Sequence, residues 1–450
     1  MWFLLACAPP PPGVDACVAS GPFDTTGFFR VEARCGQWFL LDPQGEPTLS
    51  IGVNAAGPSG DAGLESGIDQ YAEAVAAAYA TPEDWADEAT RRLQNWGFTT
   101  AGAWSDDALF LDRLPVAPVL YLSGGDWQSG SVADWHDPSW SRGVADSVAA
   151  QVAPLAGNAS VQGWFLDNET RWGPDWRGSE TLLQLYLALP AEAPGKIVAV
   201  DHLLDQLGNV EAVNTALGTT FASRDEMLAT LDWDTLDAGD SEPESGLTTT
   251  WLEAAADHYF STTTEAIRGH DPDHLVLCNR DVSVMTRLEV HRAAARYCDV
   301  LSINNYTFAE GVAEAAMALS GALDPGDALA AVHDDLANHD LDRPIIVSEY
   351  GFRAADAGLP NSWPPIYPTY TTQDERAAAA SAYVDTHAAA PWIIGWHWFR
   401  WVDEPPDGRF DGEDNNFGLV NLADEPYEAV TTALAGANSR ALAARRPPSD

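Results

Sequence analysis

Short apolar runs recur along most of the chain: "TLSIGV", "GFTTAGAW", "VAPVLYLSG", "VQGWFLD", "HLVLCN", "DVLSIN", "PIIVSE" and "IIGWHWF", eight in all. Continuous runs of this length read as strands buried on both faces, the habit of parallel sheets. The stretches between them carry helical signals. "TPEDWADEATRRLQNW" opens with Thr81 where an N-cap belongs, Pro82 at the first helical position and acidic residues in the first turn. "TTQDERAAAASAYVDTHAAA" is a second such segment. Eight strands alternating with helices predict an α/β fold, a (β/α)8 TIM barrel, in one domain over residues 27–445. A doubly wound open sheet is the competing arrangement. It is disfavoured because no Gly-rich phosphate loop follows the first run and polar residues gather at the ends of many runs.

Two regions break the rhythm. Ahead of the first run, "GFFRVEARCGQWFLLDPQGEPT" predicts a β-hairpin turning at "DPQGEP", placed to cap the barrel floor or wall. After the fourth run, about a hundred residues precede the fifth, far more than one crossover needs, and they include the acidic "DAGDSEPESG". Residues 170–250 are therefore expected to be inserted helices and a loop over the barrel mouth, and 446–450 a short tail.

Charge narrows the partners. Lys and Arg total 23 against 67 Asp and Glu, a net charge of −44 over 450 residues, which repels nucleic acid and anionic lipid. The only lysine is Lys196. Residues 1–26 open with "MWFLLACAPPPPGVDAC", where Leu4-Leu5-Ala6-Cys7 resembles a bacterial lipobox ahead of a stiff Pro-rich tether, although no basic n-region precedes it. This makes an exported protein with a possible lipid anchor at Cys7 the expectation. Of the five cysteines, Cys17 and Cys35 are close enough in sequence to pair. Cys278, near the end of one run, and Cys298, ahead of the next, are expected at opposite ends of adjacent strands, beyond disulfide reach. No metal-ligating motif and no cofactor motif stands out.

Barrel enzymes carry their chemistry at the C-terminal ends of the strands. The residues there are Asn54, Trp104, Asp167 to Glu169, Asn279 and Arg280, Asn304 to Tyr306, Glu349 and Tyr350, and His397 to Arg400. Glu169 ends the fourth run and Glu349 the seventh, and strands four and seven face each other across an eight-stranded mouth. Two facing carboxyl groups suit glycoside hydrolysis: one protonates the leaving oxygen, the other attacks the anomeric carbon or activates water. An ionised Glu349, together with an apolar enclosure, would raise the pKa of Glu169 and keep it protonated. Asn168 is placed to hold the neighbouring sugar hydroxyl.

"DNE" after the fourth run, "SEYG" at the seventh and a Trp-bearing eighth run resemble clan A of the glycoside hydrolases, the retaining (β/α)8 enzymes. "NWGFTTAGAWSD", "GWFLDNETRWG" and "GWHWFRWVDEPPDGRFDGEDNNFGLVN" are similar to the family 50 β-agarases, in patches from about residue 27 to about 440. The resemblance implies Glu169 as acid/base and Glu349 as nucleophile, with Asn305 and Tyr306 beside it and Tyr306 hydrogen-bonded to the nucleophile. It further implies Trp398 as the apolar floor under the sugar, Arg280 facing the ligand, and Asn54 with Trp104 lining the same subsite. His397 reads equally as a ligand contact or as a satisfied histidine behind the site. Trp172 and Trp176 read equally as an outer subsite or as loop packing. Leu217 stands where the similar segment usually has Trp. The implied substrate is a β-linked galactan such as agar or its oligosaccharides. A retaining β-glycosidase of another specificity and a catalytically silent sugar-binding lipoprotein are the alternatives.

Overall fold

Seven of the eight apolar runs become strands of one parallel sheet in the structure, a computed structural model that describes residues 22–231, 233, 244–320 and 328–445. The chain begins with an antiparallel meander of β1 (Arg30–Arg34), β2 (Gln37–Leu41) and β3 (Pro47–Thr48). The large sheet follows with β4 (Ser50–Val53), β5 (Thr100–Ala101), β6 (Gly163–Asn168), β7 (Leu275–Val282), β8 (Leu301–Asn304) and β9 (Ile345–Tyr350). After a small pair, β10 (Arg353–Ala354) with β11 (Thr369–Tyr370), comes β12 (Ile393–Trp398). The order across the sheet is β5-β4-β12-β9-β8-β7-β6, with every neighbouring pair parallel.

The third run behaves differently. Its residues form isolated parallel bridges to both edges of the sheet, Ala101↔Val116 on one side and Val116↔Val161 and Val119↔Phe165 on the other. Ala117 N donates to Ala101 O at 3.1 Å, and Phe165 N donates to Pro118 O at 2.9 Å. Pro115 and Pro118 have no N–H to give, so the segment bonds at single points where a ladder was expected. The sheet curls, and this segment touches both of its edges.

Local sequence explains the helices between strands. Thr81 caps Pro82–Asn95 in a reciprocal box with Asp84, and the helix buries Trp85, Ala86, Ala89 and Leu93 against the sheet. Two apolar layers result. The larger lies between sheet and helices. The smaller fills the inside of the curl, where Phe29 and Leu40 of the meander meet Leu275, Ile346 and Ile394 from the beginnings of strands, so the meander plugs the floor. Its hairpin turns at Cys35 and Gly36, both at positive φ, and "DPQGEP" makes the second turn, into β3.

Between β6 and β7 the chain forms Leu182–Leu187, Pro194–Leu207, Val210–Leu217 and Arg224–Ala229 before the long helix Glu244–His270, which packs on Pro138–Gln151. Most of the acidic "DAGDSEPESG" lies outside the described residues, as do Cys7 and Cys17. Cys35 is disulfide-bonded.

The expectation for the other two cysteines is overturned: Cys278 and Cys298 form a disulfide, with Cα atoms 5.6 Å apart. β7 runs on to Val282, so Cys278 lies mid-strand and not at its end. A register shift there, with Cys278 at a φ of 68°, turns its side chain into the helix layer, where Cys298 caps the helix Leu288–Tyr297.

Candidate active site

Strand register brings the polar residues together. Asn168 at the end of β6 is paired with Arg280 of β7, and Asn304 at the end of β8 with Glu349 of β9. Glu169, one residue past β6, completes the group. One amide joins the two glutamates. Asn304 Nδ2 donates to Glu169 Oε1 at 3.0 Å and to Glu349 Oε1 at 3.1 Å, so these oxygens are no farther apart than the two bonds laid end to end. The Asn304 oxygen accepts from Ser348 Oγ at 2.8 Å, which fixes the amide's orientation.

Glu349 is buried and held by two hydrogen-bond donors and one cation. Besides Asn304, the Tyr306 hydroxyl donates to Oε2 at 2.6 Å, and the Arg280 guanidinium lies 3.1 Å from Oε1. Burial raises the Glu349 pKa to about 7, and the charge of Glu169 adds to this, while Arg280 and the Tyr306 hydroxyl pull it back. Arg280 is itself buried. It donates to Asn168 Oδ1 at 2.9 Å and Ser348 O at 2.7 Å, and its guanidinium stacks 4.3 Å from the Trp104 ring. Glu169 is bound differently: its second oxygen accepts from the indole N–H of Trp127 at 2.9 Å.

The backbone is strained around this mouth. Glu169 (φ 49°), Trp104 (φ 62°), Tyr121 (φ 54°) and Ala55 (φ 54°) all occupy the left-handed region, at a cost of order 1–3 kcal/mol each. Strain of this kind clusters where a fold holds side chains for use.

Of the residues expected here, Glu169, Glu349, Asn168, Arg280, Trp104 and Tyr306 lie together in the mouth. Four do not. Trp398 is wholly buried on the outer face of β12, its N–H donating to Phe417 O at 2.8 Å and its ring stacked under Arg376. Side chains alternate along a strand, so Trp396 and Trp398 share the outer face, and it is Phe399 that turns inward, edge-on to Trp104. The same alternation sends the Asn305 amide away to Tyr383 Oη at 3.0 Å and leaves the mouth to Asn304. His397 and Asn54 lie one layer below, both wholly buried. His397 Nε2 shares a hydrogen bond with Ser50 Oγ at 2.8 Å, and burial together with nearby Arg280 holds its pKa down at about 3. Asn54 Nδ2 donates to Ser348 O at 3.0 Å, behind Glu349.

Trp172 packs face to face with Phe260 and donates to Asp281, whereas Trp176 is half exposed. Trp127 was not among the expected residues. Its one signal is that of a lone aromatic in the polar, glycine-rich turn "SGGDWQSGS". Among the described residues, no group of three or more His, Cys, Asp or Glu is arranged to hold a metal ion.

Paired carboxyl groups at strand ends of a curled parallel sheet, linked by one amide and backed by a buried arginine, form an acid/base constellation of the kind found in sugar-cleaving enzymes. Among known proteins the chain is similar to β-agarases, as its motifs suggested. Beta-agarase A of Vibrio sp. (strain JT0107) is 28% identical over 493 aligned positions, covering 94% of this chain and 46% of the relative. Beta-agarase B of the same organism is 26% identical over 487 positions, covering 92% and 48%. The chain thus spans about half the length of the curated relatives it matches. The fold is that of a solved exo-beta-agarase, with a TM-score of 0.77 at 22% identity over 97% of this chain and 68% of that one. It is also that of the agarase AgWH50C, with a TM-score of 0.75 at 23% identity over 97% and 68%. No family model matches the chain.

Proposed function

We propose that the protein is a glycoside hydrolase that cleaves β-linked galactan, agar or its oligosaccharides, with retention of anomeric configuration. The fold on this reading is a complete (β/α)8 barrel with residues 115–122 in the place of the third strand. The observation that carries the mechanism is the single Asn304 amide nitrogen bonded to both glutamates. That closeness favours the spacing of about 5–5.5 Å between carboxyl groups used in retention over the roughly 6.5–9.5 Å of inversion, where a water must fit between them.

In the first step a Glu349 oxygen bonds to the anomeric carbon, the glycosidic bond breaks, and Glu169 gives its proton to the departing oxygen. In the second step Glu169 takes a proton from water as the water oxygen displaces Glu349. Arg280, Tyr306 and Asn304 stabilise the Glu349 carboxylate before attack and after release. We take agar as the substrate from the names of the similar proteins, and exo action from that of the solved exo-beta-agarase. The disulfide between Cys278 and Cys298 supports an oxidising compartment and so an exported protein, with Cys7 as the proposed lipid anchor.

Azide rescue tests the assignment. With a substrate bearing a very good leaving group, Glu169→Ala still glycosylates Glu349 and then stalls, and added azide restores turnover to give the β-glycosyl azide. Glu349→Ala lacks the nucleophile, so azide attacks from the opposite face and yields the α-glycosyl azide. Swapped anomers reverse the roles of the two residues, and no azide product from either variant rejects covalent retention at this pair. A digest of agarose that releases one small product from the outset, with little early loss of viscosity, separates exo from endo action.

A further inference from the structure

Glu169 lies one residue beyond β6, at a φ of 49°, where the strand ladder no longer fixes the chain. A residue other than glycine stays in the left-handed region only where its surroundings hold it there. The Glu169 N–H donates to Arg280 O at 2.9 Å, which secures one side of the residue. The other side is secured by Arg177, whose Nη2 donates to Glu169 O at 3.0 Å. The same guanidinium reaches the neighbouring loop, where Nη1 donates to Trp127 O at 3.1 Å. Trp127 is the residue whose indole N–H donates to Glu169 Oε2 at 2.9 Å. One arginine therefore fixes both the backbone that carries the carboxyl group and the ring that orients it.

Arg177 is in turn fixed by its own tight turn. Its Nε and Nη2 both donate to Asp175 Oδ2, its N–H donates to Asp175 Oδ1 at 2.8 Å, and Asp175 N donates to Gly178 O at 2.9 Å. The Trp176 ring stacks 4.2 Å from the guanidinium carbon. Four of the five guanidinium N–H donors are thus used on Asp175, Glu169 and Trp127. Across the contact, Gly130 at a φ of 68° comes so near that a Cβ there would lie 2.7 Å from the Arg177 Cβ. The Arg177 and Asp175 side chains are only 4% and 6% exposed. Burying an ion pair costs free energy that the attraction between its members offsets only in part, so such a pair is weak evidence for stability. What this pair does is set the positions of two loops.

We propose that Arg177, held by Asp175, is the positioning residue of the acid/base group. Buried as it is, it acts through Glu169 and Trp127 and not on the sugar. The proposal rests on the glycosidase reading and concerns the proton transfers alone, because the attacking Glu349 stands on β9, away from this pair. Misplacing a catalytic group by about 1 Å can cost about 10²-fold in rate, so a small slip of either loop is enough to matter.

The test uses two leaving groups on one glycone. A galactan oligosaccharide loses a sugar, which departs only with the Glu169 proton, whereas the dinitrophenyl β-glycoside of the same glycone departs without it. Arg177→Met keeps a long apolar stem and is expected to lower kcat/KM about 10–10²-fold for the oligosaccharide and less than about threefold for the dinitrophenyl glycoside. With the latter, the second step still needs Glu169 as base, so a burst of dinitrophenolate is expected ahead of a slowed steady state. Arg177→Lys keeps the charge without the fork and should recover part of the oligosaccharide rate. Equal losses of kcat/KM on the two substrates, no loss on the oligosaccharide, or absence of the burst overturn the proposal and leave the glycosidase reading intact. Wild-type protein that turns over neither substrate overturns both. If Arg177→Met is poorly folded, Asp175→Asn, which keeps the shape and removes the counter-charge, makes the same comparison.

Discussion

Glu169 and Glu349 stand on one sheet and share one amide, yet their surroundings have little else in common. Around Glu349 the groups are charged or strongly polar: a buried guanidinium at 3.1 Å, a phenol at 2.6 Å, and strand backbone on every side. Around Glu169 the second donor is an indole N–H at 2.9 Å, the neighbours are aromatic, and the residue sits past the end of its strand at a φ of 49°. A group that must carry negative charge through a covalent cycle gains from a fixed cation. A group that alternates between acid and base is served by neutral donors that tolerate either state. On the proposed mechanism, the strand side of the site holds the nucleophile and the side made of loops holds the proton carrier.

Glu349→Gln gives the largest expected effect, a loss of at least about 10²–10⁴-fold in turnover, and near-normal turnover would end the assignment. Arg280→Gln comes next, at roughly 10²-fold, because it removes the cation paired at 3.1 Å with a buried carboxylate. The sign of its pH effect is fixed. Burial already lifts Glu349 to about 7, and it must be ionised to attack, so kcat/KM falls as pH drops below about 7. Without Arg280 that acid limb moves to higher pH, and an unmoved limb would mean that some other group sets it.

Tyr306→Phe removes one neutral hydrogen bond from the same carboxylate. A roughly tenfold loss and a smaller upward move of the limb are expected in a pH–rate profile. The remaining effect concerns stability and leaves turnover aside, on the acid/base side. Buried Asp281, which accepts from the Trp172 indole, has its pKa raised from 3.8 to about 8, chiefly by burial. The folded protein holds that proton where the unfolded chain has lost it, so this group makes stability fall as pH rises from about 4 to about 8. Asp281→Asn keeps the acceptor without the charge. Thermal denaturation is expected to show an advantage near zero at pH 4, growing to on the order of 2–4 kcal/mol at pH 7.

Much of the framework was legible in the chain, since a buried parallel strand leaves a continuous apolar run and all eight runs landed on the sheet or its bridges. The two glutamates stood out because Glu349 ends one run and Glu169 follows another by two residues. Facing was harder to read. At a strand end, neighbouring residues look alike in sequence but point to opposite faces, so Asn305 was expected where Asn304 stands and Trp398 where Phe399 turns in. Depth was also hidden: Asn54 and His397 stand in the right columns, one layer too low. The bulge at Cys278 leaves no mark in composition, so its disulfide was missed. Trp127 belongs to a loop with no periodicity to place it, and only the fold carries it to Glu169.

The bond between Cys278 and Cys298 closes a covalent ring around the crossover from β7 to β8, the stretch that begins with Asn279 and Arg280 and ends just ahead of the strand bearing Asn304. A protease that nicks this crossover therefore cuts the chain without parting it. The two fragments travel as one band on a non-reducing gel and separate only once a thiol is added, and until then Arg280 and Asn304 stay tethered on either side of the break.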